Sequence, residues 1–306
     1  MKKIRLFRAG IGAAIALLLL ALITSTFSCR KEKDANTAVP EGQQRVSIRL
    51  SDGPVSFDAV NVDIQRVEVF VVPDTCQRNT NGNNDDDNDR GCHHDHHGDR
   101  DRDNNGCGSW DTLDIRTGVY NLLDLSNGAD TLLATGFTVA GKVKKIRLTL
   151  GSDNSVVIDS VSYPLDLWNQ FDRVTISVKG DDVDQVNPSD LQLWLDFDAG
   201  RSLVKLRNNH FVLKPFLRIW LPPQTATIKG KVLPGEASAV VSAISDGDTL
   251  IAIPRNDGWF KIRGLRGSSA DLLINATSNG YVDTTLNAIS LEKGKETDIG
   301  TIQLHQ

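Results

Sequence analysis

No stretch of this 306-residue chain sustains a helical apolar period for three turns, which leaves strands as the building element. Hydrolase signatures are missing too. Neither Gly-x-Ser-x-Gly nor His-Glu-x-x-His occurs, and His210 and His305 are the only histidines outside one short segment. Basic charge is scarce: Lys and Arg number 34 against 39 Asp and Glu, for a formal net charge of −5. Four of those cations, Lys2, Lys3, Arg5 and Arg8, precede Cys29, so the chain from Cys29 onward carries −9. Without a basic face to displace phosphate counterions, nucleic acid is excluded as a partner and cations are favoured. Long apolar runs are also lacking. Ile11–Ile23 spans thirteen residues, against about 20 for a helix that crosses the hydrocarbon core.

What is present is ordinary globular composition, 40% hydrophobic and 24% charged, at a length that fits one or two domains. Residues 1–28 have a basic start, the short apolar run and a small-residue end at Thr26-Phe27-Ser28, the layout of an export signal. The Ser28-Cys29 junction resembles the lipobox of bacterial lipoproteins, with Thr26 where Leu is usual. That resemblance implies removal of residues 1–28, acylation of Cys29 and a membrane partner reached through lipid. A plain secretory signal with an incidental Cys29 is the alternative. Residues 29–44 then read as a charged tether beginning Arg30-Lys31-Glu32-Lys33. No Asp follows Cys29, so the expected location is the outer membrane, facing the periplasm or the surface.

Folded sequence begins near Arg45. Val46, Ile48 and Leu50 alternate with polar residues, the period of a strand with one wet face. In the next strand Val60, Val62 and Ile64 share one parity and Val67, Val69 and Val71 the other, so a bulge near Gln65-Arg66 is expected. Further short segments follow between turn residues, including 110–115, 131–139, 143–150, 156–158, 174–178, 191–197 and 216–221. Only Tyr120–Leu125 competes as a helical turn. The pattern predicts an all-β chain of antiparallel sandwich-like domains, with the strand ending at Pro73 and the one starting at Trp110 forming a hairpin across an oversized connection.

Val46-Ser47-Ile48-Arg49-Leu50-Ser51-Asp52, Val60-Asn61-Val62-Asp63-Ile64, Tyr120-Asn121-Leu122-Leu123-Asp124-Leu125, Asp130-Thr131-Leu132-Leu133-Ala134 and Leu195-Asp196-Phe197-Asp198-Ala199-Gly200-Arg201-Ser202 resemble domain-of-unknown-function family 4382 of bacterial lipoproteins. The likeness spans 45–222 and implies no activity or catalytic residues. Pro222-Pro223 is a stiff boundary, after which the pattern restarts over 225–306. There Gly230-Lys231-Val232, Asp257-Gly258 before Trp259-Phe260, Gly280-Tyr281 and Ile299–Leu304 resemble the carboxypeptidase regulatory-like (transthyretin-like) β-sandwich.

The distinctive chemistry lies between Cys76 and Cys107. This insert holds eight Asp, four Arg and no aliphatic or aromatic side chain, so a crosslink or an ion must supply its order. Export favours disulfides, three thiols leave one unpaired, and the two cysteines that bracket the insert, Cys76 and Cys107, are the best pair. Asp101, Asp103, Asn105 and Gly106 match the first half of a calcium loop, with Asp111 beside the twelfth position. Calcium is therefore the expected cofactor, with a solvated acidic loop as the alternative. Cys92, His93, His94, His96 and His97 offer transition-metal ligands without the paired spacing of a structural zinc site.

Asp196 and Asp198 lie two apart on a predicted strand, so both carboxylates face one side, with Arg201 as a charge partner. Structural pairing is one reading. The other is a secreted glycan-acting hydrolase using a carboxylate pair. The preferred functional expectation is a non-catalytic, lipid-anchored envelope protein that binds or scaffolds an extracellular protein or glycan.

Overall fold

Alternating burial of β-branched and aliphatic side chains sets both layers of the fold. In the computed structural model, which describes residues 38–53, 55–76, 107–178 and 189–306, the first half of the chain contains β1 (Gln43–Ser51), β2 (Ala59–Pro73), β3 (Ser109–Thr112), β4 (Asp114–Ile115), β5 (Gly118–Asn121), β6 (Thr131–Val139), β7 (Gly141–Leu150), β8 (Ser155–Ile158) and β9 (Val161–Leu167). It continues with β10 (Arg173–Ser177), β11 (Asp190–Phe197), β12 (Leu203–Lys205), β13 (Phe211–Leu213) and β14 (Leu217–Trp220). One sheet has five strands in the order β14-β11-β1-β6-β4, and the other has nine, running β10-β7-β2-β8-β9-β13-β12 with β3 and β5 also paired to β2. The chain passes between the sheets at Ala140. The next residue, Gly141, sits where an added Cβ would lie 2.3 Å from the Val72 carbonyl oxygen, so a side chain there is excluded.

β2 carries the expected bulge. Its register against β7 shifts between Ile64 and Arg66, and Gln65 and Arg66 are the two consecutive exposed residues of the strand. Val60, Val62, Ile64, Val67, Val69 and Val71 thereby all reach the core, each fully buried. A one-residue slip would turn them to solvent, which at roughly 1.5–3 kcal/mol per side chain costs on the order of 10 kcal/mol. The expected hairpin is present as well: β2 and β3 pair antiparallel, Val69 opposite Asp111 and Phe70 opposite Trp110. Trp110 packs edge-on to Phe70, ring centroids 5.4 Å apart, under the Arg147 guanidinium at 4.1 Å. Arg147 in turn donates to both oxygens of buried Glu68, at 2.9 and 3.0 Å.

The remaining strands are β15 (Ala226–Leu233), β16 (Val240–Ser245), β17 (Asp248–Ala252), β18 (Trp259–Leu265), β19 (Ser269–Asn275), β20 (Thr284–Ser290) and β21 (Glu296–Gln303). They make a three-stranded sheet, β18-β15-β21, and a four-stranded one, β17-β16-β19-β20. This sandwich encloses its own hydrophobic cluster around Phe260, Ile228, Leu272 and Ile274, separate from the cluster of the first sandwich. Both lie within one compact unit, Val39–Gln306. The fold is all-β and mostly antiparallel, with three parallel ladders, β1 with β11, β9 with β13 and β15 with β21. No helix among the described residues is long and apolar enough to cross a membrane.

Candidate functional site

The parallel ladder between β1 and β11 sets Ser51 opposite Asp196, and so brings two acidic stretches of the sequence to one point. Just past β1, the Asp52 N–H donates to the Leu125 carbonyl at 3.1 Å. Its Oδ1 accepts from the Ala199 N–H at 2.9 Å. Asp52 is only 6% exposed, and its Oδ2 has no hydrogen-bond partner among the described residues. Burial, reinforced by the neighbouring charges of Asp196 and Asp198 against the opposing Ala199 hydrogen bond, pushes the Asp52 carboxyl up to about 9. At neutral pH it is therefore a protonated acid.

Asp196 is buried beside it, and burial pushes its carboxyl up while Arg218 pulls it back. Arg218 donates to Asp196 Oδ2 through Nε at 3.0 Å and Nη2 at 2.6 Å. The same guanidinium lies 3.5 Å from Asp198 Oδ2 and 3.5 Å from Asp248 Oδ2 of the second sandwich. Asp198 lies one residue beyond β11 rather than on it. It caps the helical turn Ala199–Ser202 by accepting from the Arg201 N–H at 3.0 Å, and its side chain also lies 3.6 Å from the Arg201 guanidinium. One protonated carboxyl and two ion-paired carboxylates thus share a single buried network. Arg218 binds both Asp196 and Asp198, and the Asp52 carboxyl beside them is held by the Ala199 N–H, an arrangement that braces the strand ends.

The other stretches that carried the family resemblance meet this point. Asn121 Oδ1 accepts from the N–H groups of Val60 and Leu123, tying β2 to the 3-10 turn Leu122–Leu125. Asp130 accepts from Arg49 and, at 2.5 Å, from Arg263 of the second sandwich. Burial would raise the Asp130 carboxyl, but the hydrogen bonds from Arg263 and Arg49 outweigh it and hold the group below the usual carboxylate range.

Cys76 and Cys107 are disulfide-bonded, Cα atoms 6.1 Å apart, and close the open end of the β2–β3 hairpin. Asp111 lies on β3, with burial pushing its carboxyl up against a hydrogen bond from the Val139 backbone. Cys29, Cys92, His93, His94, His96, His97, Asp101, Asp103 and Asn105 lie outside the described residues. Among the described residues no group of three or more His, Cys, Asp or Glu is arranged to hold a metal ion. Asp52, Arg218 and Asp248 of this network, and the Asp130 cluster with Arg49 and Arg263, were not among the site residues expected from the sequence. Asp52 follows a strand in which Val46, Ile48 and Leu50 alternate inward, and the family-resembling stretch Val46–Asp52 ends on it.

Residues 43–215 match the family described as Domain of unknown function (DUF4382). The chain belongs to this family. The DUF4382 match begins at the first residue of β1 and stops just before β14, so it covers nearly the whole first sandwich. No curated protein matches. Among solved structures, a type II cohesin–X-dockerin complex from Acetivibrio cellulolyticus is 18% identical, covering 26% of this chain and 56% of that chain, at a TM-score of 0.21. The shaft pilin SpaA from Lactobacillus rhamnosus GG is 10% identical over 86% of this chain and 97% of its own, also at a TM-score of 0.21. At that TM-score neither superposition bears on fold or function.

Proposed function

We propose that this DUF4382 protein is a lipid-anchored cell-envelope protein of binding or scaffolding type, held by acylated Cys29 at the outer membrane and carrying two β-modules, 45–222 and 225–306, on the tether 29–44. The observation that carries this reading is the Cys76–Cys107 disulfide. Such bonds persist outside the reducing cytosol, which agrees with an export signal ending at Ser28-Cys29. Two or three acyl chains, at roughly 0.8 kcal/mol per buried CH₂, anchor stably where one does not.

A non-catalytic role is supported by the carboxylates themselves. Asp196 and Asp198 are engaged by Arg218 and Arg201. The second module is read as a carboxypeptidase regulatory-like sandwich. Its three-plus-four strand arrangement supports this, as does Gly258, at φ 81° in the turn before Trp259-Phe260, where an added Cβ would lie 2.3 Å from the Val232 carbonyl oxygen. The Asp-rich insert is read as a weak calcium site that orders on binding the ion.

Detergent phase partitioning of the wild type and Cys29→Ser tests the anchor. The wild type is expected in the detergent phase and the variant in the aqueous phase, and a wild type that stays aqueous contradicts it. Sustained product release from a glycan panel would contradict the non-catalytic role.

A further inference from the structure

On the nine-stranded sheet, away from the acidic network, β9 and β13 run parallel with Asp166 opposite Val212. Both strands abut irregular turns. β9 leads into Trp168–Gln170, where Asn169 (φ 52°) and Gln170 (φ 59°) are both left-handed, and β13 follows Arg207–Asn209, where Asn208 (φ 60°) and Asn209 (φ 53°) are too. Asn tolerates this conformation and Gln gains nothing from it, so Gln170 is held there at some local cost. Between the turns lies a cleft of about 690 Å³ with Leu165 and Val212 in its lining, inside the range of about 300–1,000 Å³ for small-molecule sites.

The lining has a specific chemical character. Trp168 contributes an indole that is 38% exposed, with the Lys214 ammonium 5.3 Å from its centroid. His210 Nε2 and Asp166 Oδ2 are 2.7 Å apart. Asn154 is fixed in the wall, accepting from the Asp63 N–H at 2.9 Å and donating to the Gly151 carbonyl at 2.8 Å. Asn169 and Gln170 also line the cleft with their side-chain amides at its rim turn. Beyond that Lys214 ammonium against the Trp168 ring, no Lys or Arg lines the cleft.

We propose that this cleft binds a neutral oligosaccharide, with Trp168 stacking on a sugar ring and Asp166, His210, Asn169 and Gln170 contacting its hydroxyls. A pyranose presents an apolar face of C–H groups, which suits an aromatic ring, and an edge of paired hydroxyls, which suits carboxylate, imidazole and amide side chains that donate and accept together. Phosphorylated or anionic ligands are disfavoured because two carboxylates, Asp166 and Asp172, line the cleft and the nearest ammonium, Lys214, sits against the Trp168 ring. A purely apolar ligand would leave the polar rim without partners. This names the ligand class for the binding role proposed above and rests on that reading.

The test is isothermal titration and tryptophan fluorescence of the full mature chain with hexasaccharides of β-1,4-linked glucose, xylose, mannose and N-acetylglucosamine and of α-1,4-linked glucose. Glucose 1-phosphate serves as the anionic control. At least one hexasaccharide is expected to bind with a micromolar to millimolar Kd. Trp168→Ala is expected to weaken it by about tenfold or more, the equivalent of about 1.4 kcal/mol, and Trp168→Phe to retain most of the affinity. Asp166→Ala and His210→Ala are expected to weaken it with an unchanged Tm. No binding at millimolar sugar, full affinity in a folded Trp168→Ala variant, or tighter binding of the phosphate control would each overturn the proposal. Loss of the lipid anchor would contradict the envelope reading and leave these titrations unaltered, so the two failures are distinguishable.

Discussion

Arg263 of the second sandwich donates to Asp130 of the first at 2.5 Å, and Asp130 also accepts from Arg49 of its own sheet. This shared carboxylate, with the Asn127 side-chain N–H donating to the Ile253 carbonyl at 2.7 Å, ties the two modules along one seam. Both side chains are largely shielded, 25% exposed for Arg263 and 12% for Asp130. Removing one arm leaves a partly desolvated charge short of a partner.

Arg263→Ala should therefore lower stability by about 1–3 kcal/mol in urea titration, the range for hydrogen bonds to charged groups. Asp130 is held below its ordinary pKa of 3.8. Its contribution is present above that value and disappears as pH falls through the folded pKa, so the gap between wild type and variant should close in strong acid. An equal gap at neutral and strongly acidic pH would show that Arg263 acts by packing alone.

Asp52 makes the opposite prediction. Its folded pKa of about 9 lies above the ordinary 3.8, so the folded state keeps a proton that the unfolded state releases. Below pH 4 both states are protonated and there is no effect. As pH rises toward 9 the wild type loses stability, by at most about 1.4 kcal/mol per pH unit. Asp52→Asn keeps the Oδ1 acceptor for Ala199 and removes the titration. Urea titrations should show Asn gaining on the wild type from pH 5 to pH 8, and parallel curves would refute the raised pKa.

The Cys76–Cys107 bond closes a separation of 31 positions. In the chain-entropy model such a loop stabilises by about 3.7 kcal/mol, an upper figure. A Cys76→Ser/Cys107→Ser variant should lose up to that amount. Non-reducing peptide mapping of the wild type should find Cys92 outside any bridge to Cys76 or Cys107, and a Cys92 bridge to either would overturn the pairing.

Much of this architecture was legible in the residues, because burial on one face writes itself as alternation. The parity switch at Gln65-Arg66 located the bulge, and the absence of apolar groups after Cys76 located the insert. Four strands were not legible. β9 contains Pro164, which breaks a strand pattern, and β12 and β13 have three residues each. β20 is mostly exposed or half-buried, with Ala288 left-handed at φ 55°, so it shows no clean period. The acidic network was half visible: Asp196 and Asp198 stood out as a pair, but their main cation, Arg218, comes from β14, 20 or more positions on, through a pairing that no local pattern announces.

Calcium should protect the insert from amide exchange at millimolar concentration, and an Asp101→Ala/Asp103→Ala variant should lose that protection. Extracellular calcium modules bind at about 10⁻⁴ to 10⁻³ M. A tenfold excess of ion over Kd stabilises by only about 1.4 kcal/mol, so exchange across residues 79–108 is the sensitive readout. Equal exchange with and without calcium in the wild type would reduce the insert to a solvated spacer.

The envelope reading turns on the chemical state of one residue, Cys29. Intact-mass analysis of the protein extracted from membranes should find a chain that begins at Cys29 and carries acyl groups on it, with the lipid mass absent from Cys29→Ser. A mature chain that begins elsewhere, or a Cys29 without lipid, would contradict it.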